Sequence, residues 1–130
     1  SCNKHLQRAD TIKINNSNPD WIEAKRIAIS HYLFYLAFEN TIEAGYVTEK
    51  VFDGLYAGTI PIYLGHEPSC KELMPSNHSV IYVGANSHND NVTALVDRLV
   101  PLLQTLSADE IQYESYRSWR DKPIVSSLNP

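Results

Sequence analysis

Three apolar runs of strand length, with stretches patterned as helices before, between and after them, leave this chain few possible folds. Residues 33–39 read Leu-Phe-Tyr-Leu-Ala-Phe-Glu, residues 60–64 Ile-Pro-Ile-Tyr-Leu and residues 80–83 Val-Ile-Tyr-Val. The first run is apolar on both faces, as a strand inside a parallel sheet must be. Strands that alternate with helices build an α/β layer, in which right-handed crossovers place helices on both faces of an open parallel sheet, as in Rossmann-like domains. Three strands are few for such a sheet, so neighbouring strands are expected from outside these 130 residues.

The helices are marked by their ends. Asp20 and Glu23 have the spacing of a capping box and open a helix carrying Ile22, Ala24, Ile27, Ala28 and Ile29 to about His31. Thr48 is placed to cap a helix over residues 49–57, with Val51, Phe52, Leu55 and Tyr56 inward and Gly58 closing it. A short helix over residues 70–74 stops before Pro75. Val92, Leu95, Val96, Leu99, Leu102, Leu103 and Leu106 mark a helix that Pro101 kinks or restarts. Ser107 to Glu110 forms a second capping box, opening a terminal helix through Ile111, Tyr113, Tyr116 and Trp119. Residues 1–19, polar and rich in Asn, read as a connecting segment.

Composition narrows the function classes. With 43% hydrophobic and 20% charged residues the chain can bury a core as one domain over residues 1–130. A net charge of -4 and a pI near 5.7 exclude a nucleic-acid binder, which needs clustered Lys and Arg, so a bound anion must be held locally. No apolar run approaches the roughly 20 residues that span a bilayer, so no membrane contact is expected from this segment. The N-terminus does not read as a signal peptide and opens at Ser1-Cys2 without Met, as expected of a segment taken from a longer protein. Cys2 and Cys70 lack metal-ligand spacing and allow one bridge or two free thiols. His5, His31, His66, His78 and His88 are scattered, without the spacing of a zinc pair. Glycosylation triplets at Asn15, Asn77 and Asn91 lean towards a secretory compartment.

The chemistry is expected where the first strand ends. In open α/β sheets ligands sit beyond the carboxyl ends of strands, where a following helix offers unpaired N–H groups to an anion. Residues 38–50, Phe-Glu-Asn-Thr-Ile-Glu-Ala-Gly-Tyr-Val-Thr-Glu-Lys, contain strand end, glycine turn and helix start. Lys50 in the first turn has the wrong sign for the helix dipole, a cost of a few tenths of a kcal/mol that an anion there would offset. Glu49 beside it suits a helix start and can also accept hydrogen bonds from sugar hydroxyls. The plain alternative is a Thr-Glu cap with a solvated Lys, and Tyr46 is open to the same reading as a packing residue. Paired carboxylates of the Asp-x-Asp kind, which would hold a metal on a diphosphate, are absent, which favours helix dipole and Lys50 as the positive charge. That reading requires the Lys50 ammonium to be available. Held against a protein carboxylate, it would leave the case to family likeness alone.

Tyr32 to Asn40, followed by Gly45-Tyr46-Val47-Thr48-Glu49-Lys50 and then by residues 58–65, Gly-Thr-Ile-Pro-Ile-Tyr-Leu-Gly, resembles the signature of the α1,3-fucosyltransferase family. The likeness is strong over residues 32–65 and looser over the rest of residues 1–122.

What the resemblance implies is one lobe of a two-lobed glycosyltransferase, the C-terminal lobe that binds GDP-fucose. On that pattern Asn40 and Tyr46 line the nucleotide and diphosphate, with Val47 and Thr48 on the same turn. Glu49 approaches the ribose or fucose and Lys50 pairs with the phosphates; Glu49 and Lys50 are also the candidate catalytic residues. GDP-fucose is the donor substrate, with no metal and no further cofactor implied. A glycan acceptor would be held by an N-terminal lobe outside these residues, which would also supply the carboxylate base. The family's diphosphate-contacting arginine is expected before Ser1, since Arg8 is a poor match for it. By resemblance the parent is a single-pass membrane protein of the Golgi lumen, its reaction inverting, and the isolated chain inactive. The alternative is a non-catalytic nucleotide-sugar-binding or interaction module of the same fold, and a third reading is a transferase using another donor nucleotide.

Overall fold

The computed structural model describes residues 20–84 and 91–122. The connecting segment, Cys2, His5, Arg8, Asn15 and His88 lie outside the described residues. Three parallel strands, β1 (Phe34–Phe38), β2 (Ile60–Leu64) and β3 (Ile81–Tyr82), form one open sheet in the order β1-β2-β3. The register pairs Phe34 with Ile60 through Phe38 with Leu64, and Ile62 with Ile81. The sheet alternates with α1 (Trp21–Ser30), α2 (Glu49–Ala57), α3 (Glu67–Leu73), α4 (Val92–Ala108) and α5 (Glu110–Ser115), and a 3-10 turn follows over Ser118–Asp121.

Because successive strand residues point to opposite faces, the sheet divides the core in two. On one face Ile60, Ile62, Ile81 and Val83 pack with Leu106 of α4 and Tyr113 of α5. On the other, Ala37, Tyr63 and Val80 pack with Val51 and Leu55 of α2 and Cys70 of α3. Helices therefore cover both faces, as the strand-helix alternation requires. Val51, Ile60 and Ile62 are essentially inaccessible to water. Burial of each such side chain contributes about 1.5–3 kcal/mol relative to exposure. An ion pair and a cation–π contact help join α1 to α2: Lys25 Nζ lies 2.8 Å from Asp53 Oδ2, and the Arg26 guanidinium sits 4.5 Å above the Tyr56 ring.

Several local expectations are corrected. Asp20 makes no side-chain capping hydrogen bond to α1, so the first box does not close. Leu36 is 59% exposed while Ala37 beside it, on the opposite face, is wholly buried, so β1 is not covered on both faces along its whole length. Tyr56 points outward beneath Arg26; Val51, Gly54 and Leu55 are the buried stripe of α2 with Phe52 packed beside it, and Gly54 lets Tyr35 and Pro61 approach the helix. The third helix begins at Glu67 rather than Cys70, with His66 as its cap and Pro68 in its first turn. Pro101 does not restart α4. The helix runs on to Ala108, where the Ser107 hydroxyl is bonded back to Leu103 O at 2.6 Å and Asp109 caps α5 instead. Ile111 lies outward on α5, 85% exposed.

Cys70 is a free, fully buried thiol. Burial pushes it up to about 11, partly offset by a hydrogen bond with Tyr82. The folded state thus holds this proton more tightly than the unfolded chain, whose thiol titrates near ~8.5. Its contribution to stability is complete below that value and declines as pH rises towards 11. Cys70 is expected to resist iodoacetamide in the native protein at pH 8 and to react once urea unfolds it. Labelling at equal rates in both states would contradict the packing.

Candidate functional site

The site forms where β1 runs out into the turn before α2. Glu39 N–H still donates to Leu64 O at 2.8 Å, so its carboxyl group projects from the end of the ladder into the protein, where the side chain has no solvent exposure. A carboxylate in such a place must find donors. Thr48, nine residues on, supplies two: its N–H donates to Glu39 Oε2 at 2.6 Å and its hydroxyl donates to Oε1 in a short hydrogen bond. The Tyr63 hydroxyl from β2 adds a longer contact at 3.4 Å. Glu39 therefore clamps the two ends of the intervening turn together, and Thr48 can cap α2 because it is held there.

The turn is tied a second time at its side. Gly45, at φ +79, donates its N–H to Ser69 Oγ of α3 at 2.8 Å, and Tyr46 N–H closes the turn onto Glu43 O at 3.1 Å. A left-handed backbone here suits glycine and strains most other residues. At the end of β3 the carboxylate of Glu67 accepts Gly84 N–H at 2.8 Å. All three strand ends are thus joined by side chain to backbone bonds.

Asn40, Tyr46, Val47, Thr48, Glu49 and Lys50 are brought together along this one turn and helix start. Asn40 and Glu49 are exposed, and Tyr46, Thr48 and Lys50 half-buried. Val47 packs its side chain against the Val51–Tyr63 cluster. Thr48 is the cap of α2, as its position predicts, with its hydroxyl 3.5 Å from Lys50 N. Lys50 requires a revision. Its ammonium lies 3.7 Å from Glu39 Oε1 and 3.4 Å from Thr48 Oγ1, with 28% of the side chain exposed. The fold itself supplies a counter-ion for the misplaced first-turn charge, so the helix-dipole argument no longer demands an outside anion. The case for a phosphate cradle then rests on family likeness alone. The ion pair is long, and the carboxylate already takes its short bonds from Thr48.

Glu39, Tyr63 and the His66–Ser69 pair are participants that sequence reasoning left out. The signal for Glu39 was present: it is the one acid ending an otherwise apolar run, and an acid that follows a strand inward needs partners. Among the described residues no group of three or more His, Cys, Asp or Glu side chains could hold a metal ion, and no helix is long and apolar enough to cross a membrane. A cavity of about 580 Å³ lies at the opposite, amino ends of the strands, lined by Leu33, Gly58, Tyr113 and Arg117 among others, and includes none of the candidate residues.

Fold and site together define a Rossmann-like α/β domain whose candidate ligand residues follow its first described strand. The family model described as glycosyltransferase family 10 (fucosyltransferase), C-terminal, matches residues 4–129, and the chain belongs to that family. It is 36% identical over 99 residues to GDP-fucose protein O-fucosyltransferase 3 of Gallus gallus, covering 76% of this chain and 19% of that protein. It is also 36% identical over 106 residues to an alpha-(1,4)-fucosyltransferase of Arabidopsis thaliana, covering 82% of this chain and 24% of that protein. Among solved structures, the crystal structure of an α1,3-fucosyltransferase with GDP-fucose superposes with a TM-score of 0.55 at 30% identity, over 82% of this chain and 27% of the other. The chain thus spans 19–24% of the length of these curated relatives.

Proposed function

We propose that this chain is the donor lobe of a fucosyltransferase, binding GDP-fucose with the turn and helix start over residues 40–50. The observation that carries the reading is that Asn40, Tyr46, Thr48, Glu49 and Lys50 lie in the one turn and helix start that follow β1, in a chain that belongs to a fucosyltransferase family. Lys50 and the amide groups opening α2 take the diphosphate, Asn40 and Tyr46 flank the nucleotide, and Glu49 accepts hydrogen bonds from the ribose or fucose hydroxyls. With Glu39 already bonded twice to Thr48, the partly exposed ammonium can turn to two phosphates without stripping that carboxylate of partners.

In the whole protein the acceptor oxygen attacks the anomeric carbon of fucose from the face opposite GDP. The new carbon–oxygen bond forms as the bond to the phosphate oxygen breaks, and a carboxylate of the other lobe takes the acceptor proton. Charge developing on the departing diphosphate is stabilised by Lys50 and the helix terminus. Likeness to α1,3-fucosyltransferase structures supports an α1,3 linkage, while the protein O-fucosyl and α1,4 names among the relatives make the acceptor the point to assay. The glycosylation triplets fit a Golgi-lumen location.

Calorimetric titration with GDP, GDP-fucose and UDP tests the donor reading. GDP and GDP-fucose are expected to bind, and heat with UDP alone would remove it. Lys50→Ala should weaken GDP binding by roughly 1–3 kcal/mol, the range for a charge-assisted contact. A protein that binds GDP yet transfers no fucose would select the non-catalytic alternative.

A further inference from the structure

We propose that Ser69 and His66 are positioning residues for the donor turn, so that the grip on a nucleoside diphosphate sugar depends on a hydrogen-bond relay between the ends of β2 and β1. The inference rests on the donor-site reading above. Gly45 N–H donates to Ser69 Oγ at 2.8 Å, and the same oxygen lies 2.7 Å from His66 Nδ1. Ser69 N–H donates to Nδ1 at 3.3 Å, and the Ser69 hydroxyl, whose oxygen accepts from Gly45, can donate its own proton to the same nitrogen. That arrangement belongs to the tautomer with its ring proton on Nε2. Amide, hydroxyl and imidazole form a chain in which each bond polarises the next.

The relay ties the middle of the turn to the segment that follows β2. His66 stands two residues beyond β2, whose Leu64 pairs with Phe38 of β1, and it caps α3 with its ring. The turn is held at its far end by Glu39 through Thr48, and its Ile42 and Val47 pack against the two halves of the core. Its middle, where Gly45 precedes Tyr46, is tied to the rest of the described protein by the bond to Ser69. Without that bond Tyr46 and the backbone leading to Thr48 would sample more positions, and the ligand would have to order them on binding.

Capping of α3 is the purely structural role from which this must be separated. Ser69→Ala does so, because it keeps the N–H that His66 caps and places the best helix former in α3, removing only the hydroxyl. In the intact protein, Ser69→Ala is expected to raise hydrogen exchange of the Gly45 amide. It should also weaken GDP binding about 3- to 10-fold, equivalent to one lost hydrogen bond. Ser69→Thr should restore both, and His66→Asn, which retains a capping acceptor for Ser69 N–H but not the imidazole, should show a partial loss. Unchanged Gly45 exchange in Ser69→Ala overturns the relay. So does native-like GDP affinity in that variant while native protein binds GDP, and in that case the donor-site reading stands. A native protein that binds no GDP removes the donor-site reading and this inference with it.

Discussion

Glu39→Ala is expected to destabilise the protein by about 3–5 kcal/mol, a large share of the 5–15 kcal/mol typical of a domain. The side chain has no solvent exposure, so its loss leaves a space beneath the turn and deprives Thr48 N–H, the Thr48 hydroxyl and the Tyr63 hydroxyl of their acceptor. Each buried donor left unmade costs about 1–3 kcal/mol. The ammonium of Lys50, which keeps 28% of its side chain exposed, adds less, because water can solvate it. Urea unfolding monitored by Trp fluorescence measures the effect. Glu39→Gln, which keeps one carbonyl acceptor, should cost roughly half as much. A loss below about 1 kcal/mol for Glu39→Ala would mean that Glu39 does not anchor the turn.

Gly65→Ala should cost about 2–3 kcal/mol through overpacking. A methyl group built on Gly65 would lie 2.6 Å from Cζ of Tyr63, closer than any real contact. The ring cannot move aside: Tyr63 is wholly buried and meets Tyr82 edge-on at 6.2 Å. Displacing it would also break its contact with Glu39, so the damage should reach the donor turn. Thermal unfolding of Gly65→Ala in native and Tyr63→Phe backgrounds checks this, since removing the hydroxyl relieves part of the clash and the two changes should be coupled. Simple additivity would count against a direct steric cause.

Sequence alone revealed the sheet and most of its helices because the decisive signals are local. Thr48 and Gly58 mark the ends of α2, and Ile60 to Leu64 could be little other than a strand. Errors arose where a side chain had two possible uses. Ser107 could cap a new helix or bond back into its own, and the second option prevailed because Asp109 was there to cap α5. Leu36 read as interior because its neighbours are apolar, whereas exposure depends on what packs over that stretch of the sheet face, which no local pattern encodes. At the site, the residues lying on one turn were legible as a group. The partner of Lys50 was not, because Glu39 reaches it by turning inward at the end of β1. Ser69 was hidden for a related reason: its bond to Gly45 spans 24 residues.

The spatial order of the strands, β1-β2-β3, is also their order in the chain. On a ribosome each strand would therefore find its neighbour already made as it emerges, and none must wait for a later one to be inserted between two others. The exception comes at the end, where the Tyr113 hydroxyl donates to Leu33 O across 80 residues at 2.8 Å. Assembly of the described strands should thus proceed vectorially and be completed by a late latch, with nascent chains that stop short of α4 and α5 leaving the Ile60–Ile62 face uncovered and open to chaperones.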